Sequence, residues 1–170
     1  MTFRLSGGEP LIDTERGTEI LLVEDNPDHA EFTKRAFMKG QLANTIVWVR
    51  DGMEALDYLH RRSPFHEHAS KLLPGLVLLD INLPKRNGFE VLKDMRSDPV
   101  LRIIPVIMLT TSGREEEVRK SFELGANSFV TKPVQFSEFS EKIRYLGLYW
   151  LLVNRLPLPG VNPPVPTESD

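Results

Sequence analysis

The chain has 170 residues, a net charge of −3 and no cysteine. That length suits one domain with tails, and a small charge with no basic run or basic–aromatic stripe argues against a nucleic-acid surface. Without cysteine, disulfides, thiolate metal sites and cysteine nucleophiles are excluded.

Residues 1–18 are polar, carry Gly7-Gly8 and Pro10, and read as a flexible arm. They lack the apolar stretch of a signal peptide. No segment approaches the roughly 20 apolar residues that span a bilayer, so no membrane contact and a cytoplasmic location are expected. EILLVE (19–24) is a continuous apolar run of the kind buried on both faces of a sheet. Asp25-Asn26-Pro27-Asp28 breaks it and starts a helix, with Pro27 near the first helical position. Ala30, Thr33, Ala36 and Phe37 recur at helical spacing, and Gly40 closes the segment. NTIVWVR (44–50) is a β-branched second strand. DGMEALDYLHRR is a helix with Ala55, Leu56 and Leu59 on one face, followed by a polar insert at 63–75.

GLVLLD and GFEVLKDMR form the third strand and helix, the helix with Phe89, Leu92 and Met95 on its face. PVIMLT (105–110) is the fourth strand, and GREEEVRKSFELG is a charged helix stopped by Gly125. NSFVTKP is a short fifth strand. QFSEFSEKIRYLGLYW is a fifth helix with Phe136, Phe139, Ile143 and Leu146 in register. Residues 151–170 form a proline-rich tail. Residues 19–150 thus make five βα units, an α/β domain with a doubly wound parallel sheet and helices on both faces.

In such sheets ligands sit beyond the carboxyl ends of the strands. The first strand ends in Glu24-Asp25, the third in Asp80, the fourth in Thr110-Thr111, the fifth in Thr131-Lys132-Pro133. If the first strand lies between the second and third, Glu24, Asp25 and Asp80 converge. Three carboxylates in one crevice repel each other and call for a cation. An all-oxygen ligand set with positions left for water suits Mg²⁺. Lys132 adds a compact positive charge, and Thr110 a hydroxyl. Together these make a phosphoryl pocket in which a carboxylate attacks phosphorus, leaving an aspartyl phosphate.

ILLVED, VLLDINLP, VIMLTTSG and FVTKP, in that order, resemble the receiver domain of two-component response regulators. Thirty residues from Asp80 to Thr110 and twenty-two from Thr110 to Lys132 fit the family's spacing, and the resemblance covers about residues 19–148. It implies a flavodoxin-like, CheY-like (βα)5 fold with strand order 2-1-3-4-5. It implies that Asp80 accepts phosphate from a histidine kinase, and that Glu24, Asp25, Asp80 and the backbone carbonyl of Asn82 hold Mg²⁺. Thr110, Thr111 and Lys132 would bind the phosphoryl oxygens, Thr110 and Phe129 would form the switch, and Pro133 would follow a cis peptide. Three residues depart from the commonest pattern. Glu24 replaces the usual first Asp, Phe129 the frequent Tyr, and Thr111 a smaller residue, which narrows access.

Each motif alone has a plainer reading. A Glu-Asp pair after a strand is usually an acidic first turn, Asp80 could cap a helix, and Lys132 could be a surface charge. All of these would have to hold together at four strand ends. His29, His60, His66 and His68 fit no ligand motif and are expected in solvent. Glu115, Glu116 and Glu117 read as a solvated helix start, and Phe122 as core. The surplus of apolar residues from Tyr145 to Val153 predicts a homodimer through the fourth and fifth helices, the fifth strand and the C-terminal aromatic segment. This ending, with the insert, resembles the small regulators paired with bacterial phytochromes, so a phytochrome kinase is the expected partner. The residues after 150 are too few for a DNA-binding module. The expected function is therefore a stand-alone phosphoacceptor and not an enzyme. The alternatives are a phosphatase using an aspartyl phosphate, from which Asp80-Ile81-Asn82 lacks the second acid, and a degenerate receiver serving as a scaffold.

Overall fold

The structure, a computed structural model, describes residues 19–39, 45–68, 73–132 and 135–148. The expected arm and tail, the C-terminal aromatic segment beyond Leu148, and Pro133 lie outside the described residues. Five strands alternate with five helices: β1 (Ile20–Val23), α1 (Pro27–Lys39), β2 (Ile46–Val49), α2 (Gly52–Leu59), β3 (Leu76–Asp80), α3 (Gly88–Ser97), β4 (Val106–Thr110), α4 (Glu115–Glu123), β5 (Ser128–Thr131) and α5 (Phe136–Leu148). All neighbouring strands are parallel, in the order β2-β1-β3-β4-β5.

The apolar strand runs serve both faces because side chains alternate along a strand. Leu21, Val23, Val77, Leu79, Val106 and Met108 point to one core, where α2 delivers Leu56 and Leu59, and α3 delivers Val91, Leu92 and Met95. Ile20, Leu22, Leu76, Leu78, Ile107 and Leu109 point to the other, closed by Ala36 and Phe37 of α1 and Phe139 and Ile143 of α5. The central strands β1, β3 and β4 are buried at every position, whereas the edge strand β2 is partly exposed.

Local chemistry sets the helix starts. Asn26 Oδ1 accepts the main-chain N–H of Asp28 at 2.9 Å, and Pro27 follows at the first helical position. Asp51 caps α2 through the N–H of Glu54. Asn87 and Glu90 form a reciprocal capping box at α3. At the opposite end of the sheet, Arg96 ties α3 to two neighbouring segments, the one before β4 and the one between α4 and β5. Its guanidinium donates to the carbonyls of Gly125, Arg102 and Ile104 and to Asn127 Oδ1, all within 3.0 Å. Gly125, at φ +98°, ends α4 in a left-handed conformation that glycine adopts without strain.

One expectation about burial is corrected, and one buried residue is added. Phe122 is not core: it is 50% exposed, and Ser121 is the buried residue of α4. Tyr58 joins the buried face of α2 and meets Phe65 of the insert edge-to-face, with centroids 5.1 Å apart. The insert holds a short 3-10 helix at Phe65–His68.

Candidate metal and phosphoryl site

The carboxyl ends of β1, β3 and β5 bring Glu24, Asp25, Asp80 and Lys132 to one crevice, with Thr110 at the adjacent end of β4. β1 lies between β2 and β3, the arrangement needed for Glu24 and Asp25 to approach Asp80. Each of the three acids offers a carboxylate oxygen within 4.8 Å of the others, and they are the one such group among the described residues. Glu24 and Asp80 are buried, while Asp25 faces solvent. Hard oxygen donors on one open side fit a divalent cation that keeps some of its waters. No thiolate or imidazole set competes for a softer metal among the described residues.

Lys132 crosses from the end of β5 into this cluster. Its ammonium donates to Glu24 Oε2 and, at 3.0 Å, to Asp80 Oδ2. The remaining oxygens are occupied by main chain. Asn26 N–H donates to Glu24 Oε1 at 3.2 Å, and Asn82 N–H to Asp80 Oδ1 at 3.4 Å. Asn82 is exposed, and its main chain lies against the acid it follows. Thr110 is fully buried, and its Oγ1 accepts the N–H of Ser112 at 3.1 Å. The hydroxyl proton is thereby left for another acceptor. Lys132 N–H donates to the Thr110 carbonyl at 2.7 Å, so the ends of β4 and β5 hold each other. Thr111 is exposed, and Phe129 is half-buried against the core beneath α2 and α3.

Burial pushes the Glu24 carboxyl from an ordinary 4.5 up to about 7, against the opposing pull of the adjacent Lys132 ammonium. Stability linked to a protonated Glu24 is present below about pH 4.5 and lost as the pH rises through about 7. In chelator the unfolding free energy is expected to fall across that window by on the order of 2 kcal/mol. Glu24→Gln should flatten the change. Parallel pH–stability curves for the two proteins, measured by urea unfolding, would refute this account. A divalent ion requires the ionised carboxylate, so it competes with the same proton.

A model of the response regulator receiver domain matches residues 20–144. The chain belongs to this family. It is 40% identical over 160 residues to the probable methanogenesis regulatory protein FilR2 of Methanothrix harundinacea, covering 94% of this chain and all of that protein. Among solved structures it is similar to the phosphorylated cyanobacterial phytochrome response regulator RcpA. The TM-score is 0.76 at 37% identity, over 84% of this chain and 99% of that one. It is also similar to the Mn²⁺-bound form of response regulator Rcp1, at TM-score 0.74 and 32% identity, over 83% of this chain and 99% of that one. The five-stranded 2-1-3-4-5 sheet is thus the receiver fold.

Within this receiver, two histidines depart from the solvent reading. His29 Nδ1 lies 3.4 Å from Lys132 Nζ and 3.7 Å from Glu24 Oε1, so it borders the pocket while 40% of its side chain stays exposed. His60 follows the last turn of α2, and its Nε2 meets Asp94 Oδ1 of α3 at 2.9 Å. Glu115 and Glu116 are exposed as expected. Glu117 is half-buried, and its Oε2 has no hydrogen-bond partner among the described residues. The sequence places His29 close to Glu24 and Asp25, but a first-turn position does not say which strand end the ring will face. No helix among the described residues is long and apolar enough to cross a membrane.

Proposed function

We propose that this receiver accepts a phosphoryl group on Asp80 from the phosphohistidine of a histidine kinase, with Mg²⁺ held by Glu24, Asp25, Asp80 and the Asn82 carbonyl. The observation that carries the reading is the Lys132 ammonium seated on Asp80 beside two further acids. When bound, the cation offsets the charge of the phosphoryl oxygens and of the acids. An Asp80 carboxylate oxygen attacks phosphorus, the bond from phosphorus to the imidazole nitrogen breaks, and that nitrogen leaves with the electron pair. Lys132 and the Thr110 hydroxyl hold oxygens of the transferred group, and Thr111 stands at the entrance. Thr110 moving toward those oxygens, with Phe129 repacking behind it, shifts the population toward a second conformation.

The kinase is of the phytochrome type, a reading supported by the similarity to RcpA. The protein is cytoplasmic, does not act on a separate substrate, and signals through protein contacts. One such contact is a homodimer through α4, β5 and α5, where Phe122 is 50% and Tyr145 is 65% exposed.

Incubation with acetyl phosphate and Mg²⁺ tests the chemistry. Intact mass should rise by one phosphoryl group per chain, chelator should block the gain, and hydroxylamine should discharge it, as expected of an acyl phosphate. No gain in mass, or steady turnover of a phosphomonoester, would overturn the proposal.

A further inference from the structure

Trp48 lies on β2, the edge strand, opposite Leu22 of β1, yet its indole reaches past the end of β1. Its Nε1–H donates to the main-chain carbonyl of Glu24 at 2.8 Å. The N–H of Glu24 in turn donates to the Val49 carbonyl at 3.1 Å. Glu24 is therefore held at both its amide and its carbonyl by adjacent residues of one strand. That carbonyl belongs to the peptide plane joining Glu24 to Asp25. Because a peptide unit is rigid, fixing its oxygen fixes the direction from one acid to the next. The ring itself is braced by two cations, with Lys34 Nζ of α1 and Arg50 Cζ each 4.7 Å from its centroid. A half-buried indole N–H needs an acceptor, but many carbonyls near a strand end would satisfy it. The one it takes is the link between two of the three clustered acids.

We propose that Trp48 is a positioning residue for the divalent cation, acting by locking the Glu24–Asp25 peptide plane so that both carboxylates face Asp80. The inference rests on the reading of the acid cluster as a metal site. It adds that an edge-strand residue, which touches neither metal nor phosphoryl group, sets the affinity. Losing one such hydrogen bond should weaken binding by about fivefold.

Mn²⁺ alone, titrated into the full-length protein, is the probe. Trp48→Phe keeps an aromatic ring for Lys34 and Arg50 but lacks the N–H, and its Mn²⁺ Kd should rise about fivefold. Replacing the Trp48 side chain with 3-benzothienylalanine, which keeps the bicyclic shape and removes the N–H, should give the same loss and serves if the Phe variant does not fold. Phe32→Leu is the comparison for a purely structural effect. Phe32 packs on Phe139 at 5.3 Å in the core that Trp48 borders. That change should lower the urea midpoint in chelator and leave the Mn²⁺ Kd unchanged. An unchanged Kd in the benzothienylalanine protein, with Asp80→Asn binding weakly, would overturn the role of Trp48 and spare the metal site. A wild-type protein that binds no Mn²⁺ would overturn both.

Discussion

Asp80→Asn is expected to take up no phosphoryl group from acetyl phosphate while remaining at least as stable as the wild type in chelator. The two halves of this result have different causes. An amide oxygen is a poor nucleophile and leaves no anionic acyl donor, so uptake should fall below detection. Stability moves the other way because the wild-type crevice holds three carboxylates around one ammonium. Crowded like charges are destabilising unless a cation joins them. The substitution removes one negative charge, and the amide oxygen it introduces is still able to accept from Lys132. The rise in melting temperature on adding Mg²⁺ should shrink accordingly, because the cation then meets two acids rather than three. Intact-mass and thermal-melt measurements on the same samples decide the matter. A variant that still gains mass would place the nucleophile elsewhere. A variant that unfolds in chelator would mean that Asp80 contributes more through its bond to Lys132 than it costs in repulsion.

Much of the fold can be read along the chain. β3 is an unbroken apolar run, and all five of its residues are buried. Alternation then predicts two cores, and both exist. Pattern fails where burial depends on a partner outside the helix itself. Tyr58 is covered because Phe65 folds back from the insert onto its ring. Phe122 fails for the opposite reason. Successive residues of a helix point about 100° apart, and α4 turns Ser121 inward, which carries Phe122 toward solvent. A charged helix with one buried residue offers too weak an apolar stripe to show which face docks.

The site divides along the same line. Acids at the ends of successive apolar runs mark the crevice, since a parallel sheet sends those ends to one side. Which atoms touch is decided by side-chain reach across the fold. Glu24 and Lys132 are separated by 108 positions, and their contact depends on the longer arm of Glu24 as well as on the order of the strands. The family resemblance assigns Lys132 to a phosphoryl group. In the structure the same ammonium holds Glu24 and Asp80, so a phosphoryl group or cation entering the crevice would draw on bonds already made. Trp48 was invisible as a site residue because its bond is to main chain, and no residue type at position 24 encodes a main-chain carbonyl.

Gly88 is a second residue whose importance lies in a main-chain contact, and Gly88→Ala should be among the most damaging single-methyl changes in this protein. A Cβ at position 88 would stand 2.2 Å from the Asp80 carbonyl oxygen and 2.9 Å from Ile81 Cα. Neither atom can rotate away. β3 is fixed between β1 and β4, and the N–H of Gly88 already donates to the Ile81 carbonyl at 2.8 Å. The start of α3 must therefore shift off the end of β3, at a cost of about 2–3 kcal/mol by the usual penalty for overpacking. That shift moves the backbone that aims the Asp80 carboxylate, so Mn²⁺ affinity and phosphoryl uptake should fall together with stability. Two other glycines set the scale. At Gly52 an added Cβ would meet the Arg86 carbonyl at 2.0 Å, a clash with an exposed loop rather than with the strand that carries Asp80. At Gly113 it would meet the Thr131 hydroxyl at 3.2 Å, a side chain that can adjust by a few tenths of an ångström. Urea unfolding and Mn²⁺ titration of the three alanine variants should rank Gly88 as most damaging to the site, then Gly52, then Gly113. If Gly88→Ala bound Mn²⁺ like the wild type, the position of Asp80 would not depend on the packing of α3 against the end of its strand.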